Sequence, residues 1–192
     1  MSTFGRVLGL GLAMVVFSFG TASAEGSKKD RGDYARSGAH LMISGAFLLD
    51  QSESGSKLRI ETENGWGIEA TAGYRWTPHV DLELQAEFIY RDVSSSASGW
   101  IIPSAGVRIK YIILTDRFQP FVSVGMGLLR AEETIEGENT WEWGGLARFG
   151  TGLDFYLTEN IVFDFTFEYL HGTGTWHGLR DLRFALGPKY RF

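Results

Sequence analysis

The chain of 192 residues has no cysteine, only four prolines, and no apolar run of membrane-helix length. Without cysteine there is no disulfide to staple a small core in an oxidising compartment, and no sulfur for lipid attachment. The longest apolar stretch, Val7 to Phe19, falls short of the ~20 residues that cross a bilayer as a helix. Basic charge is also scarce. Eighteen Lys and Arg against 23 Asp and Glu give a net charge of −5, which argues against nucleic acid as a partner. No glycine-rich phosphate cradle opens a helix, and no basic patch interleaves with aromatics. What the chain does hold is 25 Gly, 14 Phe, seven Tyr and six Trp.

Arg6 precedes the apolar stretch, and Ala22 and Ala24 follow it in an A-x-A arrangement. That is the pattern of a secretory signal peptide over residues 1–24, cleaved before Glu25. A membrane-anchoring helix is the other reading, disfavoured by the length of the stretch. Removing those 24 residues, with their one base, leaves 168 residues and a net charge of −6, enough for one domain. Residues 25–37 are expected to form a periplasmic N-terminal segment, and 38–192 the domain itself.

Eight segments alternate apolar and polar side chains, the period of a half-buried strand. They run Gly38–Leu49, Gly65–Trp76, Val80–Arg91, Ile101–Leu114, Gln119–Leu129, Gly144–Leu157, Ile161–Leu170 and Asp181–Phe192. Connections of three or four residues alternate with longer ones over 50–64, 92–100, 130–143 and 171–180. Short turns at one end and long loops at the other are the habit of transmembrane barrels, with both termini on the periplasmic side. A mean hydropathy of −0.07 does not oppose this, because lumen-facing polar residues cancel the lipid-facing apolar ones. The fold class read here is all-β: an eight-stranded antiparallel transmembrane barrel.

The third strand sets Val80, Leu82, Leu84, Ala86, Phe88 and Tyr90 against Asp81, Glu83, Gln85 and Glu87. In the seventh, Ile161, Phe163, Phe165, Phe167 and Tyr169 alternate with Val162, Asp164, Thr166 and Glu168. A carboxylate facing hydrocarbon costs several kcal/mol, so the acids face the lumen. The same phase puts Glu69, Arg75, Arg108, Lys110, Arg148, Asp154, Arg183, Lys189 and Arg191 inside, with Arg91 at the rim. Seven acids and seven bases in an interior that side chains just fill read as a salt-bridged plug. A pore would favour one sign of charge along its wall.

Aromatics gather at both strand ends: Trp66, Tyr90, Trp100, Trp141, Trp143, Tyr169 and Trp176 toward the loops, and Tyr74, Trp76, Phe118, Phe121, Phe155, Tyr156, Tyr190 and Phe192 toward the turns. Two girdles at opposite interfaces suit a spanning barrel, and the loop tryptophans also suit a ligand-stacking surface. The last strand ends on Phe192 itself. It resembles the C-terminal strand by which bacterial outer-membrane barrels are recognised for assembly, with Tyr190 and Phe192 as the implied signal.

With Ala72–His79, Val80–Leu84, Gln119–Gly127, Phe149–Asn160 and Gly187–Phe192 in view, the chain resembles the small outer-membrane β-barrel family, the OmpA-type transmembrane-domain superfamily. The resemblance covers the whole mature chain and implies residence in the outer membrane of a Gram-negative bacterium. It also implies contact with outer-membrane lipids and lipopolysaccharide, the barrel-assembly machinery as a transient partner, and a monomer. No nucleic acid, cofactor or metal is implied. The family hosts anchors, adhesins, small pores and lipid-modifying enzymes, so the fold leaves activity open.

One constellation bears on catalysis. His171-Gly-Thr173-Gly174 faintly resembles the lipid A 3-O-deacylase barrels, whose catalytic His is followed two residues later by a Ser and then an Asn. Carried over, His171 is the base and Thr173 the nucleophile, while Gly174 replaces the Asn. Asp181 or Glu168 would have to orient the base, because a His-activated hydroxyl needs that third group. His171, His177 and Asp181 have no metal-specific spacing. The third loop carries Glu132, Glu133, Glu136, Glu138 and Glu142, acids that suit divalent cations bridging lipopolysaccharide or a solvated surface. The expectation is a non-catalytic barrel with a structural or surface-interaction role, with a small pore and a lipid A hydrolase as alternatives.

Overall fold

The computed structural model describes residues 33–51, 62–93, 100–135, 138–174 and 179–192. The signal peptide with Ala22 and Ala24, the first part of the 25–37 segment, Trp176 and His177 lie outside these residues. Eight strands follow in order: β1 (Gly38–Asp50), β2 (Thr62–Thr77), β3 (Val80–Val93), β4 (Trp100–Ile112), β5 (Phe118–Ile135), β6 (Glu138–Tyr156), β7 (Ile161–Thr173) and β8 (Arg180–Arg191). Each pairs antiparallel with the next, and β1 closes on β8 from His40↔Arg191 to Asp50↔Asp181. Closure removes every sheet edge, so the backbone satisfies itself where no water reaches.

The alternation decides the two faces. Ile43, Leu84, Phe88, Val124 and Met126 stand outward, with Leu84 60% exposed. Such a belt would be an aggregation surface in water and is the right surface for hydrocarbon. Two of the short connections repeat one local device. Thr77 Oγ1 accepts the N–H groups of His79 (3.3 Å) and Val80 (3.0 Å), and Thr158 Oγ1 accepts those of Asn160 (3.3 Å) and Ile161 (3.0 Å). A hydroxyl that caps backbone donors two and three residues on turns the chain sharply enough to re-enter the sheet.

At the loop end the strands run further than expected. β5 and β6 stay paired to Ile135↔Glu138, so strand pairing takes up most of the expected loop over 130–143. β7 continues to Thr173, which puts His171 and Thr173 on a strand. β2 begins at Thr62, with a register irregularity before Gly65. Beyond the hydrocarbon there is no lipid to impose apolar alternation, so the pattern fades while the hydrogen-bonded ladder goes on.

Candidate functional site

The lumen holds the chemistry. Its loop end is lined by Leu48, Ile89, Ile102, Leu129, Leu146, Leu170 and Leu179, all buried. The inner phase of β1 and β3–β7 turns apolar there, and a cavity of ≈ 20 Å³ lies among these side chains and the paired Arg91 and Asp181. That is room for about one water molecule. The acidic phase of β3 and β7 predicts no such layer.

Toward the turns, all fourteen residues read as lumen groups are buried, none more than 3% exposed. With Arg91 and Asp181 the buried charges among the described residues are eight acids and eight bases, joined by His40. Arg183 sends each side of its guanidinium to a different carboxylate: Nε to Glu87 Oε1, Nη1 to Glu168 Oε2 and Nη2 to Glu69 Oε2, each at 2.7 Å. Arg148 Nη2 adds a second bond to Glu87 at 3.0 Å, and Ser104 Oγ lies 3.2 Å from the same nitrogen. One layer down, Arg108 bonds Glu83 Oε2 (2.7 Å from Nε) and Glu168 Oε1 (3.0 Å from Nη1). Lys110 meets Asp164 and, at 3.2 Å, Glu83, while Lys189 holds Asp154 at 2.9 Å. Buried charges survive in such numbers only when their neighbours answer them with opposite charge or hydrogen bonds.

Arg75 and Arg191 depart from the expected salt bridges. Their partners are neutral. Nη1 of each donates to the carbonyl of Tyr34, at 3.0 and 2.9 Å, and to the Tyr156 hydroxyl, at 3.1 and 2.7 Å. Gln119 Nε2 donates to the same carbonyl at 3.1 Å, and Arg191 Nη2 reaches the carbonyl of Arg36. The Tyr34 ring packs against that of Tyr156, 5.2 Å between centroids. Residues 34–36 of the N-terminal segment therefore cross the lumen at the turn end.

Two aromatics assigned to the turn-side girdle are inside instead. Tyr156 shares the phase of Asp154, and Phe121 that of Gln119; both are buried. Lys110 Nζ sits 4.1 Å from the centre of the Phe121 ring, and a Cβ at Gly152 would lie 2.4 Å from that ring. His40, Gln119 and Asp181 are among the lumen groups the sequence reading missed. Their phase was the available signal: His40, Met42, Ser44, Ala46 and Leu48 alternate with outward Leu41, Ile43 and Phe47. His40, Asp81 and Glu83 bring potential ligand atoms within 4.8 Å of one another. Lys110 and Lys189, 3.2 and 3.7 Å from Glu83 Oε1, already supply positive charge there, so the cluster is neutralised without a metal.

The structure separates the deacylase-like residues. His171 and Thr173 share the outward phase of β7, and the imidazole stacks on Tyr169, 6.4 Å between centroids. Glu168 and Asp181 lie on the opposite, lumen face, held by Arg183 and Arg91. A strand cannot bring side chains of opposite phase together. Neither carboxylate is placed to orient the imidazole.

No curated protein sequence matches the chain. Among solved structures it is similar to Neisserial surface protein A, with 18% identity, 82% of this chain and 99% of that one covered, and a TM-score of 0.63. The N-terminal barrel domain of Pseudomonas aeruginosa OprF aligns at 16% identity, 82% and 100% coverage and TM-score 0.55. The attachment invasion locus protein Ail of Yersinia pestis aligns at 18%, 81% and 97%, and 0.53; it has also been solved with the heparin analogue sucrose octasulfate. These likenesses carry the fold. The family model described as outer membrane protein beta-barrel domain matches residues 10–192, and with the closed eight-stranded barrel above it the chain belongs to that family of outer-membrane proteins.

Proposed function

We propose that this is a non-catalytic outer-membrane barrel with a sealed lumen, serving a structural or surface-contact role, with its turns and both termini facing the periplasm. The observation that carries the reading is the filling of the interior from end to end. The N-terminal segment occupies the turn end, paired charges the middle, and an apolar layer the loop end. A wall with equal numbers of acids and bases offers no selectivity filter, and a cavity of ≈ 20 Å³ offers no path.

Contact then falls to the loop end, where the β5–β6 hairpin projects past the strands that flank it. Between residues 130 and 142 the sequence has five Glu and one Arg. That balance suits divalent cations bridging lipopolysaccharide, or a cationic partner. It opposes a polyanion such as the sulfated ligand seen on Ail. Planar-bilayer recording tests the sealed lumen: the expected trace is silent, and discrete conductance lost on Arg108→Ala or Glu83→Ala would establish a pore. Replacing residues 130–142 with a short neutral turn is expected to change surface adhesion while leaving solute permeability as it was.

A further inference from the structure

Arg75 and Asp81 stand directly opposite each other in the β2–β3 register, both buried, yet they are not joined. Arg75 spends its guanidinium on the carbonyls of Tyr34 (3.0 Å) and Pro78 (2.5 Å), on Gln119 Oε1 (2.9 Å) and on the Tyr156 hydroxyl. Its Nε has no acceptor among the described residues. Asp81 in turn has His40 Nε2 at 3.7 Å from Oδ2 and no hydrogen-bond donor on Oδ1 among the described residues. Lys110, its neighbour on β4, is committed to Asp164 and Glu83. A buried carboxylate with an empty oxygen stands opposite a buried guanidinium whose hydrogen bonds go elsewhere.

We propose that residues 33–37 are a displaceable plug and that Arg75 is its latch, bonded to the Tyr34 carbonyl while the plug is seated and to Asp81 once it leaves. The seat is built for release. Every hydrogen bond from Arg75, Arg191 and Gln119 to the segment goes to a backbone carbonyl, and the Tyr34–Tyr156 pair is its ring contact. Guanidinium–carboxylate bonds are stronger than those to neutral carbonyls. Unseating therefore loses the plug contacts and gains an ion pair that the seated state forgoes. Two discrete arrangements of one buried side chain are what a switch requires. The withdrawn state opens the lumen from the turn end to the Lys110–Asp164 layer, while the apolar layer at the loop end stays shut. The result is a pocket open on one side, not a channel.

The absence of native cysteine gives a clean test. Ser123 lies on the lumen phase of β5, opposite Lys110 in register, so Ser123→Cys reports water reaching that layer. The mature chain bearing Ser123→Cys, folded in detergent micelles, is treated with a charged, water-soluble thiol reagent. Labelling is expected to be slow. Adding Tyr34→Ala should speed it about tenfold, equivalent to ~1.4 kcal/mol of plug contact. Adding Asp81→Asn instead should slow it below the Ser123→Cys chain, because the open state loses its ion pair while Asp81 Oδ1 has no hydrogen bond to lose in the seated state. Tyr34 lies outside the strands, and gel mobility without heating verifies each fold; if Asp81→Asn fails to fold, Asp81→Glu, which keeps the charge, must label no slower than Ser123→Cys alone. Equal rates with and without Tyr34→Ala, faster labelling with Asp81→Asn, or slower labelling with Asp81→Glu would overturn the proposal.

Discussion

Arg183 Nη2 on β8 lies 2.7 Å from Glu69 Oε2 on β2, and the same guanidinium holds Glu87 and Glu168. One side chain thus ties β8 to β2, β3 and β7 through the centre of the barrel. Arg183→Met leaves three buried carboxylates short of a partner, with Arg148 and Arg108 only partly able to answer. Breaking a buried pair by removing one partner costs about 3–5 kcal/mol, and a loss of at least that size is expected here. Arg183→Lys should recover little, since one ammonium cannot present three fixed donors in a plane. Urea unfolding of the refolded barrel in lipid vesicles measures both, and near-wild-type stability of Arg183→Met would show the network to be redundant.

The placement of His171 bears on catalysis. With the imidazole outward on Tyr169 and the nearby carboxylates inside, no group among the described residues orients or activates it. The lipid A mass spectrum of cells expressing the protein should therefore match that of cells lacking it, and His171→Ala should change nothing. An acyl chain lost with the wild-type protein and regained in His171→Ala would mean that an orienting group comes from outside the described residues. Stability should move by no more than ~0.5 kcal/mol, as for an ordinary surface substitution.

The strands and the fourteen-residue charge set were legible because hydrocarbon outside a barrel enforces a strict period of two. Asp81, Glu83 and Glu87 could face only one way once Leu82, Leu84 and Phe88 faced the other. Legibility failed wherever that constraint relaxed. Above Leu129 and Gly144 the apolar alternation stops although the pairing continues to Ile135↔Glu138. Tyr156 and Phe121 were read as girdle residues from their nearness to the turns, when the phase of Asp154 and Gln119 already placed them inside. The crossing of Tyr34–Arg36 left no trace, because the segment is held through its carbonyls. Any sequence supplies those.

Gly73 shows how tightly the lumen is filled. It pairs with His40 on one side and Glu83 on the other, and those two side chains meet across it, 3.2 Å from Nε2 to Oε1. A Cβ at Gly73 would lie 2.4 Å from two atoms of the imidazole and 2.9 Å from Glu83 Cγ. Gly73→Ala is expected to cost about 1–3 kcal/mol by overpacking. In a His40→Ala background most of that penalty should vanish, a coupling larger than the ~0.5 kcal/mol seen for independent sites. Additive costs in the double-mutant cycle would mean that the strands, not the imidazole, absorb the added methyl.

A substitution at Phe192 tests folding and assembly separately. Its N–H bonds the Ala39 carbonyl at 3.0 Å, a closure contact that any residue would make. Its ring is 63% exposed toward lipid and meets Tyr190 edge-on at 5.2 Å. Losing an aromatic pair of that kind costs about 0.5–1.5 kcal/mol beyond area burial, so Phe192→Ala refolded in micelles should unfold close to the wild-type barrel. If the terminal ring is what the assembly machinery reads, the amount of Phe192→Ala in the outer membrane should instead fall severalfold. Phe118→Ala is the matching control: also turn-side, outward and stacked on its neighbour Phe155 at 4.8 Å, but in the middle of the chain. Equal loss in both variants would mark a shared folding defect. Loss in Phe192→Ala alone, with in-vitro stability preserved in each, would assign the terminal ring to recognition.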